Sequence, residues 1–93
     1  MTIEFEWDYE KEKKNIQKHR VSFHEASTVF GDPFSWTFPD TDHSITEDRY
    51  LTFGSSSDGT LLIISHTDRG NKIRLISARK MTRLERRYYE ENK

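Results

Sequence analysis

The 93-residue chain contains no cysteine, only four glycines and two prolines, and no long run of apolar residues. The lack of cysteine excludes disulfides and thiolate metal sites and suits a reducing compartment. Its apolar stretches are too short to span a bilayer or to form the core of a signal peptide. We therefore expect residues 1–93 to form one cytoplasmic domain that does not associate with membranes.

Sequence motifs for metal, nucleotide and serine-nucleophile chemistry are missing as well. The histidines are scattered along the chain, and none forms the His-x-x-x-His pair of a zinc protease. They are His19, His24, His43 and His66. The acidic loop 40–43 lacks EF-hand spacing and is best interpreted as solvated, while 54–59 lacks the Gly-Lys-Ser/Thr ending of a phosphate loop. The sequence thus predicts neither a metal nor a cofactor.

Charge is present in quantity but is unevenly distributed. The net charge is only −1, yet the stretch from Arg69 to Arg87 holds eight basic residues against Glu85 alone. Between Val21 and Asp68 the balance reverses, with eight acidic residues against Arg49. An arginine-rich block of this kind suits a polyanion, and a nucleic-acid backbone is the first candidate.

The first part of the chain predicts a strand followed by two helices. Apolar and acidic residues alternate from Ile3 to Trp7, which is the period of a strand. Asp8 can cap a helix that runs to about His19. A second helix begins at the capping box 22–25, and Gly31 with Pro33 supplies its stop.

The second part of the chain predicts four strands and a final helix. The strands are 34–38, 49–53, 61–66 and 73–78, and the turn-rich links 54–59 and 68–71 favour an antiparallel meander. A second capping box at 82–85 opens the last helix, with Leu84 and Tyr88 on one face. The resulting order, β-α-α-β-β-β-β-α, predicts an α+β layer with helices against one sheet.

RNA cleavage is one reaction that needs neither metal nor cofactor, because the substrate's 2′-hydroxyl is the nucleophile. Arginine can bind phosphate oxygens bidentately, and histidine can transfer a proton near neutral pH. The catalytic candidates are His66 at a strand end, Arg69 in the turn, and Arg74 and Arg79 on the last strand. Strand alternation places Arg74 and Arg79 on opposite sides, unless a bulge intervenes or the strand ends before Arg79.

A second set of basic residues is predicted to hold the RNA strand. It comprises Arg49, Lys80, Arg83, Arg86 and Arg87. The arginines of the last helix could equally form an ordinary solvated face, and His66 could be a structural hydrogen-bonding residue. Tyr88 and Tyr89 are expected to place one ring in the core, with the other available for base stacking.

Several segments, in order and covering almost the whole chain, together resemble the BrnT toxin family. They are Phe5–Asp8, Lys18–His19, Val21–Ala26, Val29–Pro33, Asp42–Ser44, Glu47–Arg49, His66–Arg69 and Ile73–Arg79. The resemblance implies a RelE-like fold and a metal-independent ribonuclease toxin that inhibits translation. It also implies a ribbon-helix-helix antitoxin of the BrnA type, and autoregulation in which operator DNA is bound only through the antitoxin. If the antitoxin presents one copy of a dimeric DNA-binding domain per toxin, two-fold symmetry predicts a 2:2 complex.

One position departs from the family pattern. The residue after Lys18–His19 is commonly glycine in the family but is Arg20 here. Arginine would adopt a left-handed helix-ending conformation at a cost of about 1 kcal/mol. We predict that the bend between the first two helices survives, with Asn15 or Gln17 helping to cap it. Two alternatives to catalysis stay open: a nucleic-acid-binding module, and a subunit that only binds the antitoxin.

Overall fold

The computed structural model describes residues 3–43 and 45–93, which form an α+β domain. In chain order the elements are β1 (Glu4–Glu6), α1 (Tyr9–His19), α2 (Phe23–Ser27), a 3-10 turn (Thr28–Gly31), β2 (Trp36–Pro39), a second 3-10 turn (Thr41–His43), β3 (Arg49–Ser55), β4 (Leu61–Arg69), β5 (Lys72–Lys80) and α3 (Arg83–Glu91). None of the helices within these ranges is long and apolar enough to cross a membrane.

The five strands form one mixed sheet in the order β1-β5-β4-β3-β2. β2 to β5 make the predicted antiparallel meander, but β1 pairs with β5 in parallel, so the prediction of an entirely antiparallel sheet was wrong. Parallel pairing requires a long connection between the paired strands. Because all the other elements except α3 lie between β1 and β5 in the chain, nothing forces these two strands into a hairpin.

The hairpin turns are shorter than the sequence predicted. β3 continues through Gly54 to Ser55, and β4 and β5 continue to Arg69 and from Lys72. Only Gly70 and Asn71 join β4 to β5, and Gly70 has a φ of 63°. Glycine tolerates this left-handed conformation, which two-residue hairpin turns require. As a result Arg69 ends a strand instead of lying in a turn.

The two faces of the sheet are covered differently. α1 and α2 pack on the first face, where the main core contains Val21, Phe23, Ala26, Val29, Leu62, Ile64, Leu75 and Ala78. α3 covers part of the second face through Tyr89 and the preceding Met81, which pack with Ile63. Leu84 is 73% exposed and Tyr88 is 43% exposed, so Tyr89 is the buried residue of this helix. The uncovered remainder of the second face is called the open face below.

A β-bulge in β5 decides which side chains reach the open face. Ser65 pairs with Ser77, but the next residue of β4, His66, pairs with Leu75, so Ile76 is an extra residue. The extra residue shifts the alternation of β5 by one position. Arg74 and Arg79 therefore lie on the same face of the sheet despite their odd spacing, as one of the two predicted routes required.

The bend between α1 and α2 is preserved without glycine. Arg20 has a φ of 61° and a ψ of 31°, and its N–H donates to the carbonyl of Ile16 at 2.9 Å. The buried Asn15 side chain donates to the carbonyls of Val21 at 2.9 Å and Ala78 at 2.8 Å. Asn15 also accepts from the Ala78 N–H at 3.1 Å. The prediction that Asn15 supports a surviving bend is confirmed.

Candidate functional site

A pocket of about 410 Å³ opens on the open face. Its floor includes Leu51, Ser65 and Ser77, which are register partners on β3, β4 and β5. Arg49 and Arg79 lie at its walls, and the segment after β2 closes one side. The full lining is Asp40, Asp42, His43, Arg49, Leu51, Ser65, Ile76, Ser77 and Arg79.

Arg79 is held rigidly at this pocket by the start of α3. Its two terminal nitrogens donate to the two carboxylate oxygens of Glu85 at 2.8 and 2.9 Å. The same carboxylate accepts from the N–H of Thr82 at 2.8 Å, which completes the predicted capping box. The hydrogen bonds from Arg79 lower the pKa of Glu85 to about 2, and the Glu85 carboxylate raises the pKa of Arg79. The capping box therefore fixes the position of a site guanidinium.

Arg49 approaches the pocket from β3, two strands away from Arg79. Its side chain is half-buried and its Nε lies 3.9 Å from a Glu47 carboxylate oxygen. The Arg49 carbonyl accepts a hydrogen bond from the N–H of Asp40 at 2.7 Å. This backbone contact anchors the acidic segment beside the pocket.

His43 and Asp40 form a pair at the pocket rim that sequence reasoning missed. His43 Nδ1 lies 2.9 Å from Asp40 Oδ2, and the two side chains are 66% and 13% exposed. The sequence interpretation treated this loop as solvated because it lacked metal spacing. The sequence did contain a signal for this pair, because Asp40 and His43 are three residues apart. A 3-10 turn brings side chains at this spacing into contact.

His66 lies on the opposite face, away from the pocket. It is 4% exposed, lies within β4 instead of at its end, and its Nε2 is 2.6 Å from the Thr52 hydroxyl. The rings of Phe30 and Tyr50 have centroids 5.0 and 5.9 Å from its own. Burial lowers the pKa of His66 to about 4. The expectation that His66 converges with the arginines across the hairpin is corrected by this geometry.

Arg69 and Arg74 lie on the open face but outside the pocket lining. Arg74 Nη1 contacts a Glu6 carboxylate oxygen at 2.8 Å, across the β1–β5 pair. Arg69 Nη2 lies 3.7 Å from Glu47. By register, both are nearer the Gly70 turn than Arg79 is.

The remaining predicted RNA-binding residues surround two depressions near the start of α3. One is lined by Lys80 and Arg86 together with Gly59, Thr60, Leu61 and Met81. The other is lined by Leu61, Arg83, Arg86, Arg87 and Glu90. Since Leu61 and Arg86 belong to both, the two depressions form one basic groove. In residues 3–43 and 45–93, no group of three or more His, Asp or Glu side chains is arranged to hold a metal ion.

Comparison with known proteins identifies the family. Residues 7–85 match the family model described as "Ribonuclease toxin, BrnT, of type II toxin-antitoxin system". The crystal structure of the Brucella abortus ribonuclease toxin BrnT superimposes with a TM-score of 0.68 at 21% identity, covering 88% of this chain and 100% of that one. No curated protein matches significantly. The family model spans most of the chain, and the chain therefore belongs to the BrnT family of ribonuclease toxins, whose type II systems pair each toxin with an antitoxin.

Proposed function

We propose that the open-face pocket cleaves RNA and that the chain is a metal-independent endoribonuclease toxin that inhibits translation. The observation that carries the proposal is the convergence of Arg49 and Arg79, from strands on either side of β4, beside the Asp40–His43 pair. The placement of α1 and α2 on one face, with the pocket on the other beside α3, also suits the RelE-like arrangement expected from the resemblance.

The proposed reaction is a transfer within the substrate. The 2′-oxygen attacks phosphorus, the bond from phosphorus to the 5′-oxygen breaks, and the products are a 2′,3′-cyclic phosphate and a 5′-hydroxyl. One proton must leave the 2′-hydroxyl and one must reach the 5′-oxygen. Arg49 and Arg79 would stabilise the charge that develops on the phosphoryl oxygens. His43, oriented by Asp40, would transfer a proton at the 2′- or 5′-oxygen.

Arg69 and Arg74 would bind neighbouring phosphates along the open face, and the groove formed by Lys80, Arg83, Arg86 and Arg87 would hold the strand beyond the cut. The lining of the groove supports the role proposed for its residues, and the position of Arg69 and Arg74 on the same face of the sheet as the pocket supports theirs. His66 would support the fold instead of the chemistry.

The direct test is cleavage of RNA by the purified protein in the presence of EDTA. Arg79→Ala, Arg49→Ala and His43→Ala should each lower the single-turnover rate by about 10²- to 10³-fold. His24→Ala, an exposed histidine on α2, is the matched control for His43. Arg20→Gly is the matched control for the arginine variants, because Arg20 lies at the bend between α1 and α2, on the side of the sheet opposite the pocket. Cleavage that requires an added divalent cation would refute metal independence, and full activity in all three site variants would refute the site.

We further propose that the neutralising partner is a ribbon-helix-helix antitoxin of the BrnA type. Its toxin-binding segment would be acidic, because it must cover the basic open face. Two-fold symmetry of a dimeric DNA-binding domain with one toxin per chain gives a 2:2 complex. Light scattering of the complex after size-exclusion chromatography tests this stoichiometry. Autoregulation requires that the complex, but not the toxin alone, binds operator DNA.

A non-catalytic binding module is the second candidate, and the engagement of Arg79 by Glu85 favours it. A guanidinium with both terminal nitrogens bonded to a carboxylate has less charge to offer a transition state. In that case Arg79→Ala would weaken RNA binding in a salt-dependent way, while neither variant nor wild type would yield cleavage products.

A further inference from the structure

The open face carries exposed aromatic rings beside the pocket. Trp36 is 37% exposed and Tyr88 is 43% exposed. The Trp36 ring stacks on Phe38, with centroids 5.8 Å apart and planes at 28°, and meets the Tyr88 ring edge-on at 5.9 Å. Phe38 lies edge-on against Phe53 at 5.6 Å, which roots the cluster in the sheet. We call Trp36, Phe38 and Tyr88 the aromatic platform.

The aromatic platform continues directly from the pocket. Phe38 is the register partner of Leu51, and Leu51 lines the pocket together with its own partner Ser65. Asp40, on the pocket rim, directly follows β2, which carries the two platform rings Trp36 and Phe38. Neighbouring strands lie about 4.8 Å apart, so Phe38 is one strand spacing from the pocket floor. Trp36 lies two residues further along β2, opposite Phe53, and its ring stacks on Phe38. A nucleotide whose phosphate lies between Arg49 and Arg79 therefore has its base within reach of the platform.

The exposed rings of the platform belong to regular secondary structure. Trp36 and Phe38 belong to a strand hydrogen-bonded to β3, and Tyr88 belongs to α3. The neighbouring Tyr89 anchors α3 by donating its hydroxyl hydrogen bond to Asp32 at 2.5 Å. Since strand β2 and helix α3 hold these rings, little conformational freedom is lost when a planar ligand stacks on them.

We infer that the aromatic platform is a nucleobase-stacking subsite, with Trp36 as the residue that stacks on a base adjoining the scissile phosphate. This inference rests on the proposed function, because the pocket must hold a phosphate for the platform to receive that nucleotide's base. Every nucleobase presents a π-face to an aromatic ring, so the subsite would strengthen RNA binding and align the strand across many sequences.

Fluorescence provides the test, because the chain has two tryptophans. Trp7→Phe leaves Trp36 as the single tryptophan. The phenylalanine introduced at position 7 still provides an aromatic ring to contact Phe23. Titration with a 2′-O-methyl RNA oligonucleotide, which lacks the nucleophile, should quench Trp36 fluorescence to saturation. In Trp36→Phe, where Trp7 is the only reporter, the same titration should produce no quenching.

Cleavage kinetics provide a second readout. Trp36→Leu should raise KM for RNA about tenfold, the scale of one lost base stack, while Trp36→Phe should recover most of the loss. Tyr9→Leu is the matched control, because Tyr9 is an aromatic residue on α1 that is 68% exposed. Circular dichroism melts of each variant separate a binding defect from unfolding.

Three outcomes distinguish the hypotheses. Unquenched Trp36 and an unchanged KM in Trp36→Leu, with cleavage intact, would overturn the stacking subsite and leave the proposed function standing. Loss of antitoxin binding in Trp36→Leu with RNA binding intact would overturn it in favour of a protein-docking surface. If Arg49→Ala, Arg79→Ala and His43→Ala all leave cleavage unchanged, the proposed site fails, and the inference fails with it because the platform would no longer adjoin the scissile phosphate.

Discussion

Arg20 occupies a backbone conformation that glycine adopts with less strain, since its φ is 61°. Replacing Arg20 by glycine should raise the free energy of unfolding by about 0.5–1 kcal/mol, because the steric cost of a left-handed Cβ is removed. Urea unfolding monitored by circular dichroism measures the change. Lys18→Gly, inside the same helix, should lower stability by about 1 kcal/mol and serves as the contrast. A less stable Arg20→Gly protein would show that the arginine side chain makes a contact worth more than the strain.

His66 makes the stability of the fold sensitive to mild acid. Its pKa is lowered to about 4 in the folded state from 6.5, first because burial disfavours the charged ring, although Asp68 opposes this. The stability that the neutral, buried His66 provides is fully present above pH 6.5 and is lost as the pH falls through 4. The reason is that His66 binds a proton at a higher pH in the unfolded chain than in the folded one, so acid favours the unfolded state. We expect a loss on the order of 2–3 kcal/mol across this window.

The substitution His66→Gln isolates this effect. Its free energy of unfolding should vary less between pH 6.5 and 4 than that of the wild type, as measured by urea titration at several pH values. Because His66 faces away from the pocket, the variant should also retain RNA cleavage at pH 7. Abolished cleavage in a folded His66→Gln protein would restore the catalytic role expected from sequence.

Single residues were predictable where a local rule governs them. The role of Asn15 follows from the need to support a helix end that lacks glycine. The placement of His66 and His43 does not follow, because strand periodicity gives alternation without saying which face is covered. Only the packing of Phe30 over His66, and the turn that brings His43 to Asp40, decide which histidine meets the arginines.

At the scale of elements, Gly54 sets how closely the 3-10 turn after α2 approaches β3. A Cβ at this position would lie 2.7 Å from Val29 Cγ1, and 3.1 Å from the Cβ of Ser35. Gly54→Ala should therefore destabilise the protein by about 1–3 kcal/mol through overpacking. Thermal unfolding measures the loss, and Gly31→Ala, where an added Cβ meets nothing within 4 Å, is the control. Equal stability of the two variants would contradict the tight packing.

The link between β5 and α3 should depend on pH through Glu85. The pKa of Glu85 is lowered from 4.5 to about 2, first by the hydrogen bonds from Arg79. The stability that this pair provides is present above pH 4.5 and is lost as the pH falls through 2. We expect about 1 kcal/mol, since solvent screens a partly exposed pair. Glu85→Gln keeps a capping side chain but removes the charge, so its stability should change less over this window in acid urea titrations.

The sequence predicted which segments form helices and strands, but it did not predict the parallel pairing of β1 or the position of the β-bulge. Capping boxes and alternation indicated the helices and strands. The parallel pairing of β1 depends on a contact between residues at the two ends of the chain, and the bulge at Ile76 depends on how β5 fits β4. Local patterns carry no information about such long-range register. Without the bulge, Arg74 and Arg79 could not share a face.

At the scale of the whole molecule, the divided charge should control RNA affinity even though the net charge is −1. Binding of a 2′-O-methyl RNA should weaken with salt, and the logarithmic slope is about −0.7 for each phosphate neutralised. A slope of about −2.8 would correspond to the four open-face arginines, Arg49, Arg69, Arg74 and Arg79, whereas the groove residues would make it steeper. Fluorescence anisotropy of wild type and of an Arg83→Ala/Arg86→Ala/Arg87→Ala variant separates the two cases. An identical slope in both proteins would show that the α3 arginines do not contact the RNA phosphates.

The carboxylate of Glu85 both begins a helix and holds a site guanidinium, which gives the molecule a thermodynamic linkage. Arg79 cannot turn fully toward a bound phosphate without releasing hydrogen bonds to the residue that caps α3. By reciprocity, whatever loosens the start of α3 must alter affinity at Arg79, and whatever binds Arg79 must alter the helix end by the same free energy. An inhibitor could therefore act on this toxin from the back of α3, without ever entering the pocket.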